Sequence, residues 1–499
     1  MTAVGPTAPS PAFSGAVPLD RVLADQPPAR QVDLPLADVQ AGRRLVVLDD
    51  DPTGTQSIAD LPVLTSWSVP DMQWALHQPT TAFFILTNTR SLSETDAAER
   101  NRQIVEALDE AARLENVAYV LHSRSDSTLR GYYPLETDVL AQELAARGTQ
   151  IDGVVICPAY IEPGRVTVNS LHWSRTSDGM IPVSRSEFAK DASFGYFSSD
   201  LRDWVEEKTA GRISRDQVAA ITLTDIRKGG PDRVEEILTG LSNEQPVVVD
   251  GADYADLQVV VVALLRAEAA GKNFIYRTGP SFVRARSGQQ ATPAIDARRL
   301  SAILAAAPHD EGETRPNSEH GLIAVGSHVG LTTRQLDRLR ADGKIIELEL
   351  DVPTLLKRDV GAKHVSETAA RAVDLLRNDD SGADVVIRTS RTLVTGTDAV
   401  DSLVIARTVS AALVGTVREI VAQVRPAFVL AKGGITSSDT ATEGLSIRRA
   451  WTRGTVLPGI VSLWEPVSGP AQGIPYIVFA GNVGDDQALS AVVETLRSG

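Results

Sequence analysis

The chain has a single cysteine, Cys157, in 499 residues. This excludes an intramolecular disulfide and any zinc site built on cysteine. No apolar run approaches the ~20 residues that a membrane span needs. Positive charge is in deficit: 49 Lys and Arg face 64 Asp and Glu, a net charge of −15. That balance disfavours non-specific binding to nucleic acid or to an anionic membrane. It leaves room for a small anion met by local arginines. Histidines number seven, and no His-x-x-x-His or Ser/His/Asp spacing suggests a metalloprotease or a triad hydrolase. His172 reads as a packing or capping residue, while His122 and His328 fall in polar loops. The N-terminus carries Pro6, Pro9, Pro11, Pro18, Pro27, Pro28 and Pro35. It lacks a basic start followed by an apolar core, so it reads as a disordered or loosely docked tail (residues 1–38) of a cytoplasmic protein.

Hydrophobic content of 43% and charged content of 23% are those of a soluble globular chain long enough for two or three domains. Short apolar runs alternate with amphipathic stretches. Strands are expected at Leu45–Leu48, Ala82–Leu86, Ala118–Leu121, Gly153–Ile156, Val247–Val249 and Asn273–Tyr276. Helical patterns lie between them at Glu94–Leu114, Pro134–Arg147 and Asp253–Ala270, with Ser93 and Asp96 set to cap the first. A second series has strands at Leu322–Val325, Ile345–Leu350, Asp384–Ile387, Ala427–Leu430, Gly459–Leu463 and Tyr476–Phe479. This alternation predicts an α/β fold of βαβ units with mostly parallel sheets flanked by helices. The expected layout is two lobes, 39–285 and 321–499, joined by a polar connection at 286–320, with the active site in the cleft between them.

The strand ends carry the chemistry. The run Leu45–Leu48 opens onto Asp49-Asp50-Asp51-Pro52-Thr53-Gly54. Three crowded carboxylates repel one another and raise each other's proton affinity. A core does not need them, whereas a metal ion, a captured hydroxyl or phosphoryl chemistry does. The plainer reading is a solvated acidic turn. After Ala118–Leu121 comes His122-Ser123-Arg124-Ser125-Asp126-Ser127-Thr128-Leu129-Arg130-Gly131. Its arginines can fork a carboxylate, and its Asp and Ser can hold hydroxyls; the alternative is a helix cap in Asp126-Ser127 with solvated arginines. Asn88-Thr89-Arg90-Ser91 and Tyr160-Ile161-Glu162-Pro163-Gly164-Arg165 follow two further strands. Ligands of open α/β sheets bind outside the carboxyl ends of strands, where all four segments fall.

In the second series the strand ends turn to glycine. Gly326-Ser327-His328-Val329-Gly330, Lys432-Gly433-Gly434-Ile435-Thr436 and Gly481-Asn482-Val483-Gly484 each follow a strand, and the last precedes a helical pattern at Gln487–Leu496. Such turns let backbone N–H groups approach phosphates. None matches GxxxxGK[ST] or GxGxxG, so no Walker loop or Rossmann fingerprint is present.

In this order the segments resemble the four-carbon acid sugar kinase family, once described only as a domain of unknown function. The resemblance runs from about Arg44 to Ser498. It rests on Asp50-Asp51-Pro52-Thr53-Gly54, on Arg124-Ser125-Asp126-Ser127-Thr128-Leu129-Arg130-Gly131, on Pro158-Ala159 through Gly164-Arg165, and on Val248-Val249-Asp250. In the second half it rests on Gly326-Ser327, Gly433-Gly434-Ile435-Thr436 and Gly481 to Gly484. The chain departs from the family pattern in having Arg124 for a lysine, Pro52 for a leucine, Ile435 for an acid, and Phe479 for a lysine two residues before Gly481.

The resemblance implies an N-terminal sugar-acid domain, a C-terminal nucleotide domain, and ATP-dependent phosphorylation of threonate, erythronate or 3-oxo-tetronate. ATP with Mg²⁺ and a small sugar acid are the implied ligands, and a homo-oligomer is expected. Arg90, Arg124, Arg130 and Arg165 would hold the substrate carboxylate, and Asp50, Thr53 and Ser127 would add contacts. Asp51 or Asp126 would act as base. Ser327, Gly433, Gly434, Ile435, Thr436, Gly481 and Asn482 would hold the nucleotide, with Lys432 able to stand in for the missing lysine. No metal ligand is assigned. Two rival readings are a haloacid-dehalogenase-type phosphatase with Asp49 as nucleophile, and a sugar-acid sensor without catalysis.

Overall fold

A computed structural model describes residues 15–306, 317–391, 394 and 399–498. Two compact units emerge, and neither is one continuous stretch of chain.

The first unit comprises Met1–Asp50, Leu92–Glu106 and Val117–Gln290. Its main sheet has six parallel strands in the order Arg44–Asp49, Tyr119–Arg124, Phe274–Thr278, Gly153–Cys157, Gln245–Val249 and Ala219–Ile221. They are short, rich in Val and Ile, and buried along nearly their whole length, as parallel strands covered on both faces must be. The helix Tyr254–Ala269 starts on a capping box: Asp253 accepts the Ala255 N–H, and Asp256 reaches back to the Asp253 N–H at 3.0 Å. At the start of the helix Glu94–Glu115 the Ser93 hydroxyl accepts the Asp96 N–H at 3.2 Å and donates to the Asp96 carboxylate at 2.7 Å. A second sheet of three antiparallel strands, Arg165–Val168, Leu171–Thr176 and Gly179–Pro182, was not foreseen. Residues 15–38 run along this unit. Val17 pairs with Met180, and Arg227 donates to the Pro27 carbonyl.

The second unit comprises Asp51–Ser91, Ala107–Asn116 and Ala291–Gly499. Five parallel strands lie in the order Ile345–Leu350, Asp384–Thr389, Leu322–Val325, Val429–Lys432 and Tyr476–Phe479. The sheet continues antiparallel through Val461–Pro466 and Arg449–Leu457 to Leu61–Leu64, beside which Ala82–Leu86 runs parallel. Residues 51–91 therefore pack with the C-terminal half. The Trp464 indole N–H donates to Thr55, and Asp71 binds Arg448 and Arg449 at 2.7 and 2.8 Å. The expected connection holds the helix Ala297–Ala306, whose Leu300 joins the core built around Leu336, Phe428, Ile477 and Leu489. The strand expected at Ala427–Leu430 runs instead over Val429–Lys432, which draws Lys432 out of the loop and into the sheet. The mixed α/β architecture with largely parallel sheets is as the sequence predicts.

Candidate functional site

In the first unit the parallel strands end together. Arg124, at the end of its strand, sends one nitrogen to Asp49 at 2.9 Å and Asp50 at 3.0 Å, and all three side chains are buried. The repulsion between Asp49 and Asp50 is thus answered inside the fold by one guanidinium. The next residues form a tight loop in which Asp126 accepts from the Thr128 hydroxyl and from Arg130 Nε at 2.6 Å. Leu129 takes a positive φ of 68° while fully buried. That is a costly backbone for a γ-branched residue, and such outliers gather at ligand sites.

The three-stranded sheet brings Arg165 to this loop, where it donates to Ser127 Oγ at 2.7 Å. Arg130 and Arg165 both lie over the ring of Phe188, at 4.9 and 5.6 Å. Arg130 also comes within 3.7 Å of Asp191. His172 passes a ring N–H to the Ser127 carbonyl (2.8 Å) and accepts from Thr167 (2.9 Å), and burial lowers it to about 4. It is a neutral structural bracket. His122 is likewise buried against Thr278 and lowered to about 3 by burial, within its strand rather than in a loop. Sequence reasoning missed Arg277. It is 1% exposed, donates to Ser125 Oγ at 2.7 Å, and lies about 5 Å from the rings of Tyr133 and Trp204. Its signal was legible: it follows the apolar run Asn273–Tyr276, one more strand end of the first unit's parallel sheet.

In the second unit Asp51 accepts from the Thr53 N–H at 2.9 Å and from its hydroxyl, which fixes the turn into Pro52–Ser57. Arg90 meets the other Asp51 oxygen at 3.1 Å. Three glycine-bearing loops come together here. A Cβ on Gly481 would stand 2.5 Å from Ser327 Oγ, and one on Gly433 would stand 2.8 Å from Thr436 Oγ1 and 3.4 Å from Ser327 Cβ. Only glycine allows that approach. The Thr332 hydroxyl ties the cluster by donating to Gly481 O at 2.9 Å. Asn482 and Ile435 are exposed, Ile435 at 61%. A Cβ on Gly434 would lie only 3.8 Å from Asp51 Oδ2. Lys432 is fully buried, with its ammonium on Ala480 O at 2.7 Å and 3.6 Å above the ring of Phe479. Burial lowers it to about 7.

Residues 45–286 match the sugar-binding N-terminal domain, and residues 322–489 match the nucleotide-binding C-terminal domain. The chain belongs to the four-carbon acid sugar kinase family. Its fold is similar to that of a Haemophilus influenzae protein of the DUF1537 family (TM-score 0.58, 18% identity, 90% of this chain and 100% of that one). It is also similar to a Salmonella typhimurium protein provisionally named a tRNA synthase (0.63, 18%, 90% and 98%). A Bordetella bronchiseptica DUF1537 protein, a domain-swapped dimer with bound citrate, aligns over 92% of this chain and 99% of its own at 20% identity, but with a TM-score of 0.36. No curated protein matches the chain.

Set in this family, the two groups of residues divide by unit. The sugar-binding span carries Asp126 with Arg130 and Ser127 with Arg165, the two arginines meeting over Phe188, while Arg124 is bound to Asp49 and Asp50. The nucleotide-binding span carries Ser327, Gly433, Thr436 and Gly481 in mutual contact. Arg90 and Asp51, read with the sugar-acid residues from sequence, pair with each other in the unit that holds the glycine loops. Asp49, the nucleophile of the phosphatase reading, has a carboxylate 2% exposed and bound to Arg124, an arrangement that disfavours attack on a phosphate ester. Lys432 as placed points at a carbonyl rather than outward.

Proposed function

We propose that the protein is an ATP-dependent kinase that phosphorylates a hydroxyl of a small sugar acid of threonate, erythronate or 3-oxo-tetronate type. The observation that carries this reading is the Asp51 carboxylate beside Gly434. A carboxylate next to a cluster of phosphate-approaching turns repels the ligand those turns suit. It earns its position only by chemistry at the phosphate: accepting the proton of the attacking hydroxyl, or holding the cation that travels with the nucleotide. Arg90 and Thr53 hold Asp51 in one orientation, which favours such a role over a solvated turn.

On the acceptor side, Arg130 and Arg165 supply the charge for a carboxylate, and Asp126 and Ser127 supply partners for hydroxyls. Arg124 is committed to Asp49 and Asp50, so in this reading it and Asp50 shape the floor of the pocket. On the donor side, Ser327, Gly433, Gly434, Thr436, Gly481 and Asn482 receive the phosphates on backbone N–H and hydroxyl groups. Among the described residues no group of three His, Cys, Asp or Glu could cage a metal ion. Mg²⁺ is commonly held by substrate phosphates and one or two carboxylates rather than by a protein cage, and in this reading Asp51 would be such a carboxylate. The ion would neutralise charge between the phosphates, and the protein's share is positioning and water exclusion.

In a coupled assay of ADP formation, Asp51→Asn should lower kcat by about 10²–10⁴-fold, the range for loss of a general base, with the KM for ATP nearly unchanged. Turnover near that of the wild type would remove Asp51 from the chemistry.

A further inference from the structure

The glycine loops supply backbone donors but little positive charge. Lys432 is turned onto Ala480 O, and burial holds its ammonium away from solvent. A second cation reaches the same loops. Arg391 follows the strand Asp384–Thr389, which pairs with Leu322–Val325 in a register setting Arg388 opposite Val325. That register brings Arg391 to the Ser327 loop. Its Nη1 donates to the Ser327 carbonyl at 2.5 Å, and its Nη2 donates to Thr333 Oγ1 at 2.6 Å, in the first turn of the helix Gly330–Ala341. Its Nε is buried without a partner, and so is Nδ1 of His328 two residues before that helix.

The contrast with Arg388 is informative. Three residues earlier on the same strand, Arg388 is held by Glu347 and Glu349 at 2.6 and 2.8 Å. Arg391 has no carboxylate within ion-pair distance among the described residues, although it is partly buried. Asp337 acts on it only through space, and desolvating a guanidinium without an ion-pair partner is costly unless an anion completes the site. The fork is already oriented by two hydrogen bonds, so it loses little entropy on meeting an anion. The neighbouring donors are those of Ser327, Thr332 and the Gly481 turn.

We propose that Arg391 is the cation that binds the polyphosphate of the nucleotide, in place of a lysine on the loops. This rests on the kinase reading above. The ligand class is a nucleoside di- or triphosphate, and the contact is to phosphate oxygens rather than to the base.

Calorimetric titration of the full-length protein with ADP and with adenosine, each with Mg²⁺ and without sugar acid, tests it. Arg391→Met should weaken ADP binding by about tenfold to a hundredfold, the worth of a charge-assisted hydrogen bond, and leave adenosine binding unchanged. Arg391→Lys should retain most of the ADP affinity, because the charge remains. Unchanged ADP affinity in Arg391→Met, or equal loss of ADP and adenosine in both variants, would overturn the assignment. A wild-type protein that binds neither ligand would overturn the kinase reading itself, which separates the two failures.

Discussion

The acidic residues of the opening loop differ in what neutralises them. Asp49 and Asp50 share Arg124 in a buried cluster, whereas Asp51 meets Arg90 beside Gly434. The sequence displays three equal carboxylates, and only the strand pairing of Asp49 with Arg124 sorts them. Charge balance of this kind depends on residues 74 positions apart in the chain, so local patterning does not reveal it. Lys432 offers a pH test of the same principle. Its folded-state pKa is lowered from 10.5 to about 7 by burial. Between those values the unfolded chain binds more protons, so stability rises as pH rises through the window. Denaturation at pH 7 and pH 10 should show a gain of a few kcal/mol, at about 1.4 kcal/mol per pKa unit. Lys432→Met should flatten that gain; an unchanged slope would mean that Lys432 is solvated.

Among the elements, strand ends were the legible signal. Four of them in the first half were identified from sequence; those after Arg44–Asp49, Tyr119–Arg124 and Gly153–Cys157 lie at one edge of the first unit's parallel sheet, and the one after Ala82–Leu86 belongs to the second unit. Arg277 was missed because the run before it was read as ending at Tyr276, whereas the strand continues to Thr278; Arg391 lies two residues past the strand Asp384–Thr389, with no motif around it. The three-stranded sheet was missed because Arg165–Val168 and Leu171–Thr176 carry mixed polarity, although Asp178-Gly179 is a hairpin signal at the start of the third strand. That sheet depends on Asp250, which accepts the N–H groups of Asn169, Ser170 and Leu223 at 2.7, 2.8 and 3.0 Å. Asn169 and Ser170 both have positive φ, so the turn they form is held by the carboxylate. Asp250→Ala should cost roughly 3 kcal/mol in chemical denaturation, given 1.5–3 kcal/mol for each hydrogen bond to a charged group and partial compensation by water. It should also raise the KM for the sugar acid, because Arg165 and His172 lie on the strands joined by that turn. A stable variant with unaltered KM would show that the turn folds without Asp250.

For the whole molecule, the α/β class was open to sequence reasoning through periodicity, and the split into a sugar-binding and a nucleotide-binding part through the family resemblance that the ordered motifs carry. The packing of residues 51–91 with the C-terminal half was not. It depends on Leu61–Leu64, a four-residue strand containing Pro62, and on its pairing with Arg449–Leu457 nearly 400 residues later. No local signal specifies such a partner. The consequence is functional: the carboxylate proposed for the chemistry belongs to the same unit as the glycine loops. Phosphoryl transfer from ATP to a sugar acid is the central claim. Its most direct test is to incubate the protein with ATP, Mg²⁺ and, separately, threonate, erythronate and 3-oxo-tetronate, and to follow both ADP and the mass of the acid. The account predicts that at least one acid gains a phosphoryl group in equal amount to the ADP formed, with no phosphate released in its absence. Ligand-induced stabilisation with no ADP formed by any acid, or phosphate release that does not need ATP, would contradict it.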